Sequence, residues 1–463
     1  MNEPLWLAED AAEAAGGRLI GADSWLASGI SIDTRSLEKG DLFVALKDVR
    51  DGHDFIEAAF AAGASAALVS DAEKATPHGP ALVVGDVLEG LTRLGERARD
   101  RSEARRIAVT GSVGKTSTKE AIAACLRACG PTHASVKSYN NHWGVPLTLA
   151  RMPKSSAYGV FEMGMNHRGE ILPLANLVKP HVAIVTWIAP AHIEHLGSIE
   201  NIADEKGDAY AGLEPEGVAL VPNEAPAASR LISRAEECAS AVIRFGREEG
   251  CEARLLKFEM VEGGAVAEAD ILGRQIRYRI GAEGAHWALN SVAALAAADL
   301  AGGDLHAAAH ALAQFQSIAG RGAARVINAS FGAFTLVDDS YNANPASMSA
   351  AFETLGARKV QGRRIAALGD MLELGPEERT HHASLAAPID KAGIDLVFAA
   401  GPRMAALWEK LPSTRRGGYA ETAESLAPMV AGALRAGDVL LVKGSNGSRM
   451  ARVVEAVTQL ATS

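Results

Sequence analysis

The stretch Thr110-Gly111-Ser112-Val113-Gly114-Lys115-Thr116-Ser117 carries the residue types that hold a nucleotide phosphate. The apolar run Arg106-Ile107-Ala108-Val109 before it reads as a short buried strand, and Lys119 to Cys129 after it reads as a helix. At such a turn, backbone N–H groups converge on an anion at the helix N-terminus, and glycine lets the main chain approach the phosphate closely. In that arrangement Lys115 would reach the β- and γ-phosphates and the Thr116 hydroxyl would ligate Mg²⁺. The loop is a shortened variant. Val109 stands where the common G-x4-G-K-[ST] loop has its first glycine, and two residues separate Gly111 from Gly114. The competing reading, a Gly/Ser turn beside a solvated lysine, leaves the flanking strand and helix unexplained.

In open α/β sheets ligands collect beyond the carboxyl ends of the strands, and several polar residues fall at such ends. Glu162 closes the run Gly159 to Met163 and could take Mg²⁺ opposite Thr116, or simply be a solvated strand end. His192 lies in the loop Ala189 to His195, where one histidine is usually structural. With His195 it has the spacing of a zinc pair, but the remaining ligands are missing. By composition, Asp204-Glu205-Lys206-Gly207-Asp208 is an exposed charged helix turn. Asn290 stands at the start of an Ala-rich helix, Ala293 to Ala313, where it could cap the helix or bond an adenine edge. Asp339 follows a strand and could hold a ribose hydroxyl or cap the helix that Pro345 can start. Lys443-Gly444-Ser445 closes the last strand and is a second candidate anion site. Arg321, in the break Ala319 to Gly322, is by default a surface arginine, yet it is placed to reach a phosphate across a cleft.

These residues need a large scaffold. At 463 residues the chain suggests about three domains. The boundaries read as 1–87, 88–319 and 320–463. The first part has short strands at Asp41 to Leu46 and Ala81 to Val84 around a helix near Phe55 to Ala62. A polar helix, Leu88 to Arg101, leads into the phosphate loop. Strand candidates Gly159 to Met163, His181 to Thr186 and Val218 to Val221 then alternate with helical patterns, which argues for a mostly parallel sheet covered on both faces. After the break, Phe334 to Asp338, Arg364 to Gly369, Leu396 to Ala400 and Val439 to Val442 suggest a second doubly wound, Rossmann-like unit.

Composition narrows the function classes. The chain is 48% apolar and 22% charged with a net charge of −10, and it has no basic block for nucleic acid. The weakly polar run Ala58 to Val69 is shorter than the roughly 20 residues a membrane span needs. The N-terminus lacks a signal-peptide pattern, and Cys125, Cys129, Cys238 and Cys251 read as structural thiols. A cytoplasmic protein is the expectation.

Taken together, several motifs resemble the Mur ligase family. They are Thr110 to Ser117, Tyr139-Asn-Asn-His-Trp-Gly-Val-Pro146, Phe161-Glu-Met-Gly-Met165 and Ala191-His-Ile-Glu-His-Leu-Gly-Ser198. Asp339-Ser-Tyr-Asn-Ala-Asn-Pro345 and Leu368-Gly-Asp-Met-Leu-Glu-Leu-Gly375 are similar to the branch that adds a D-alanyl-D-alanine dipeptide. Ser31 to Arg35, Gly40 to Ala45 and Asp51 to Phe55 match that family's uridine-nucleotide-binding domain. The resemblance spans almost the whole chain. It implies an α/β protein of three domains: a small UDP-binding domain, a central phosphate-loop domain and a C-terminal Rossmann-like domain. It also implies a monomeric ATP- and Mg²⁺-dependent peptide ligase acting on UDP-N-acetylmuramoyl-tripeptide and D-alanyl-D-alanine through an acyl phosphate.

The implied roles map onto this sequence residue by residue. Gly111, Ser112, Val113, Gly114, Lys115, Thr116 and Ser117 would hold ATP, joined by Asn290, Arg321 and Asp339. Thr116 and Glu162 would share one Mg²⁺, and His192 would contact a second metal. Lys206 falls where the family carries a carbamylated lysine, an anionic oxygen ligand that forms from a neutral amine, so a lowered pKa is expected. Catalysis would rest on Lys115, His192, Lys206 and Arg321. Thr34, Asp48, Val49, Arg50, Asn140 and Asn141 would contact the substrate. Glu194-His195-Leu196-Gly197 departs from the family's Glu-Gly-Phe-Gly run. The alternatives are another Mur ligase, a folylpolyglutamate synthase-like enzyme, or a phosphate-loop switch or motor ATPase.

Overall fold

A strand buried from its second residue onward leads into the phosphate loop. Arg105–Thr110 alternates its side chains, with Ile107 and Val109 entering one apolar cluster and Ala108 the cluster on the opposite face. Two-sided burial of this kind belongs to the centre of a parallel sheet. The computed structural model describes residues 3–136, 138–191 and 193–462. In it Arg105–Thr110 lies between Val182–Val185 and Tyr158–Glu162, parallel to both, within a nine-stranded sheet.

That sheet begins with the parallel strands Thr132–Ala134, Tyr158–Glu162, Arg105–Thr110, Val182–Val185, Val218–Pro222 and Ala241–Gly246. It ends in Ala253–Val261, Gly264–Ile271 and Arg274–Ile280, which pair antiparallel with one another. The expectation of a mostly parallel sheet did not include this meander. Its signal is present in the chain, since Gly264–Ile271 alternates buried and half-buried residues and Gly263 closes the tight turn before it.

The Ala-rich stretch is not one helix. Trp287–Leu300 and Leu305–Gln314 are separated at Gly302-Gly303, and Asp304 caps the second. Ten of the first helix's fourteen residues are buried, because alanine lets it sit close between the sheet and the helix Lys115–Arg127. That helix starts at Lys115, four residues earlier than the apolar pattern indicated.

The N-terminal part holds a five-stranded sheet in the order Arg18–Ile20, Ala81–Val83, Ala66–Val69, Asp41–Val44, Gly29–Ser31. The run Ala58 to Val69 is thus divided between a short helix, Ile56–Ala61, and a buried strand. The helix Val87–Asp100 places Leu91, Leu94 and Ala98 in one cluster with Leu147 and Ala150 of the helix Gly144–Ala150, so it ties this sheet to the central one. The C-terminal sheet runs Ala323–Ala329, Gly332–Asp339, Val439–Lys443, Arg364–Gly369, Leu396–Ala400, Arg416–Ala420, parallel except for its first hairpin. Apolar clusters lie on both of its faces. Among the described residues no helix is long and apolar enough to cross a membrane.

Candidate active site

The loop between Thr110 and Lys115 is shaped as an anion receptor. Gly111 has φ +147°, and a Cβ there would collide with the Thr186 hydroxyl, so only glycine fits. Thr186 donates to the carbonyls of Thr110 (3.2 Å) and Val113 (2.6 Å), and the Ser112 N–H donates to Trp187 O (2.8 Å). The end of the neighbouring strand thereby holds the loop open. Gly114 occupies the N-cap of Lys115–Arg127 and no side chain caps that helix, which leaves its first N–H groups for a ligand. The Lys115 ammonium folds back onto Gly111 O at 2.7 Å. The hydroxyl of Ser112 is buried at this loop without a hydrogen-bond partner, as are those of Thr110 and Thr118. Orphaned donors around a helix N-terminus fit a polyanion such as a triphosphate.

Two hard oxygen donors face each other beside the loop. Thr116 Oγ1 donates to Glu162 Oε2 at 2.7 Å, and Asn140 Nδ2 donates to Glu162 Oε1 at 2.8 Å. Glu162 is wholly buried, which excludes its reading as a solvated strand end. A buried carboxylate and a hydroxyl beside a phosphate loop suit Mg²⁺, which takes few protein ligands and completes its shell with phosphate and water. Among the described residues no group of three His, Cys, Asp or Glu side chains forms a protein-only metal cage.

Lys206 overturns its compositional reading as an exposed turn. It lies in Ile199–Gly207 with 1% of its surface exposed. Burial, and then the nearby charge of Lys115, push its amine well below the usual lysine range, while Glu205 opposes the shift. Glu205 itself accepts from the N–H groups of Gly169, Glu170 and Ile171 and so anchors the helix Ile171–Val178. The Lys115 amine is lowered in the same sense, by burial first, with Glu162 opposing and Arg321 reinforcing.

The opposite wall comes from the C-terminal sheet. Asp339, at a strand end, accepts from Lys443 Nζ at 2.7 Å, and that ammonium also donates to Asn342 O at 2.9 Å. Burial raises the Asp339 carboxyl and the Lys443 charge opposes it. Lys443 is therefore engaged within the fold rather than waiting as a separate anion site, and the helix cap that Asp339 could have supplied is Asn344. Asn290 does not cap either. It is the fourth residue of Trp287–Leu300, and its side chain lies against Gly114, 3.4 Å from where a Cβ would stand. Arg321 reaches back from the C-terminal side to Ser138 Oγ at 3.0 Å, with its guanidinium 4.1 Å from the Tyr341 ring centroid.

The remaining expected residues are more dispersed. Asn141 accepts from the Gly144 N–H at 3.0 Å, a local turn bond. Thr34 is half-buried, while Asp48, Val49 and Arg50 form an exposed turn in which Asp48 N–H donates to Arg50 O at 3.0 Å. Ser117 is half-buried in the first turn of its helix. His192 lies outside the described residues. His195 packs on His167, with ring centroids 4.8 Å apart. Sequence reasoning missed Lys119, a wholly buried lysine one turn after Lys115. It donates to Ser135 O at 2.6 Å, and Ser135 Oγ accepts from the Glu162 N–H at 3.1 Å. Its four-residue spacing from Lys115 was the available signal.

Comparison with known proteins extends this geometry to the whole chain. Residues 27–113 match the Mur ligase family catalytic domain, 109–298 the Mur ligase middle domain, and 324–446 the Mur ligase glutamate ligase domain. The UDP-N-acetylmuramoyl-tripeptide–D-alanyl-D-alanine ligase of Escherichia coli is 34% identical over 452 residues, 96% of this chain and 97% of that one. The Bacillus subtilis enzyme of the same name is 34% identical over 433 residues, 92% of each chain. Among solved structures, MurF from Acinetobacter baumannii superposes with a TM-score of 0.84 at 29% identity, covering 99% of both chains. With the three domain matches in chain order, relatives aligned over nearly their full length and a phosphate loop built between their shared elements, the chain belongs to the Mur ligase family.

Proposed function

We propose that this chain joins D-alanyl-D-alanine to UDP-N-acetylmuramoyl-tripeptide at the expense of ATP, a step in peptidoglycan precursor synthesis. The relatives that bear this name align with more than nine-tenths of it. The observation that carries the reading is the pairing of the phosphate loop with the buried Thr116–Glu162 oxygens. The chain divides into a substrate-nucleotide unit at 1–87, a central ATP unit at 88–319 and a C-terminal unit at 320–463.

In this reading the peptide carboxylate attacks the γ-phosphorus, giving an acyl phosphate and ADP. The dipeptide amine then attacks the activated carbonyl and phosphate leaves. Lys115 and the loop N–H groups hold the transferring phosphoryl group, and Arg321 approaches it from the other side of the cleft. Thr116 and Glu162 would hold Mg²⁺, with His192 and a carbamylated Lys206 at a second ion. Bound there, such ions neutralise phosphate charge. The lowered Lys206 amine is the form that adds CO₂. Asn140 and Asn141, with Thr34, Asp48, Val49 and Arg50, are assigned to the uridine-linked substrate. A chain of this kind works as a monomer.

The test is phosphate release with each substrate omitted in turn. Release that requires ATP, the UDP-tripeptide and the dipeptide together is expected. Release from ATP alone would replace this reading with a nucleotide switch or motor ATPase, and acceptance of a single amino acid in place of the dipeptide would move the chain to another branch of the family.

A further inference from the structure

We infer that Lys119 is a positioning residue: with Ser135 it ends the edge strand Thr132–Ala134 beside Glu162 and so fixes the carboxylate assigned to Mg²⁺. The inference rests on the reading above that Thr116 and Glu162 take that ion. Thr132–Ala134 pairs parallel with Tyr158–Glu162, Ala134 opposite Val160, and the ladder continues as the Ser135 N–H donates to Val160 O at 3.0 Å. In a regular parallel ladder the next bond would run from the Glu162 N–H to Ser135 O. Here the Lys119 ammonium takes that carbonyl at 2.6 Å, and the Glu162 N–H turns to the Ser135 hydroxyl at 3.1 Å.

This change of partner falls at the residue that carries the carboxylate. Lys119 is wholly buried and Ser135 nearly so, and Glu120 supplies the counter-charge at 2.5 Å from the ammonium. An apolar side chain would fill the same space without the cost of burying a charge, but it would leave the carbonyl to the strand. Lys119 stands one turn after Lys115, so the helix that opens at the phosphate loop also sets where the edge strand stops. Beyond Ser135 the chain leaves the sheet. Ser138 meets Arg321 at 3.0 Å, and Asn140 Nδ2 donates to Glu162 Oε1 at 2.8 Å. At about 3.3 Å per residue, a strand running on from Ser135 would carry Asn140 roughly 16 Å onward, past that carboxylate.

The experiment measures equilibrium binding of ADP with and without Mg²⁺ in wild type, Lys119→Met, Ser135→Ala and Ser135→Thr. Without Mg²⁺ all four should bind ADP alike. Mg²⁺ should strengthen binding about five- to tenfold less in Lys119→Met and Ser135→Ala than in wild type, the effect of one lost hydrogen bond. Ser135→Thr, which keeps a hydroxyl, should recover most of the loss, and in a Glu162→Gln background neither substitution should add to it. A role in packing alone would weaken ADP equally in both conditions. That result, or an unchanged Mg²⁺ effect in Ser135→Ala, overturns the inference, and Ser135→Ala decides by itself if Lys119→Met does not fold. A wild type whose ADP binding ignores Mg²⁺ would overturn the metal reading instead. Amide exchange of Glu162 in the ligand-free protein would then decide the role of Lys119. It should speed up in Ser135→Ala and slow again when Lys119→Met frees the carbonyl at position 135. Exchange that is unchanged in Ser135→Ala, or still fast in the double variant, overturns the inference.

Discussion

Lys115 donates to Gly111 O, and Thr116 and Asn140 both donate to Glu162, so hydrogen bonds within the fold hold the phosphate end of the site in place. Preorganised charge is worth most where it does not have to move during the reaction. Lys115→Ala is therefore expected to lower ligation by about 10²–10³-fold with thermal stability retained, read by phosphate release with all three substrates. Glu162→Gln removes one charge from the oxygen pair and should raise the Mg²⁺ concentration needed for half-maximal rate. The buried amine of Lys206 supports a different measurement. Depleting bicarbonate and CO₂ from the buffer should lower turnover and adding bicarbonate should restore it, while Lys206→Arg, which cannot form the carbamate, should be slow in both buffers.

The elements carry their own pH sensitivity. His181 Nδ1 accepts the Arg106 N–H at 3.0 Å at the start of the central strand, so its ring must be unprotonated at that nitrogen. Burial, then the charges of Arg106 and Arg105, depress its pKa to about 4, below the usual histidine value of about 6.5. A histidine depressed by folding contributes stability that is full above the unfolded pKa and is lost as pH falls through the interval toward the folded one. The melting temperature should therefore fall between pH 7 and pH 5, and His181→Asn, which keeps an acceptor and cannot take up the proton, should show a smaller fall. An equal fall in the variant would exclude this origin.

At the scale of the whole molecule, two polar contacts among the described residues join the central and C-terminal parts: Arg321 reaches Ser138, and Arg358 forms an ion pair with Glu283 just ahead of the helix Trp287–Leu300. Gly375 also packs near the Glu194 backbone. The Arg358–Glu283 pair is largely shielded, with side-chain exposures of 16% and 26%, so removing one partner should cost more than an exposed pair would. Arg358→Glu is expected to widen the molecule in small-angle scattering and to raise the KM for ATP, because both walls contribute to that site. Combining it with Glu283→Arg should recover most of the loss, a coupling that additive, unrelated effects would not give.

Much of this was legible in the chain. The strands Arg364–Gly369 and Leu396–Ala400 coincide with their apolar runs, since strands buried on both faces leave an uninterrupted hydrophobic record. The phosphate loop was legible because its function resides in local backbone geometry, which glycine and the adjoining strand and helix encode within a few residues. The break inside the Ala-rich stretch was harder to see, because alanine favours helix on every face and only Gly302-Gly303 interrupts it. By composition Lys206 looked like a solvent-facing charge for a related reason: burial depends on what other segments pack against a residue, and its neighbours in sequence do not reveal that. The sequence by itself determined the alternating α/β pattern and the chemistry of the loop. Only the tertiary structure decided which distant side chains share the cleft, bringing Asn290 to Gly114 and Arg321 to Ser138, because long-range packing sets those encounters and no local pattern does.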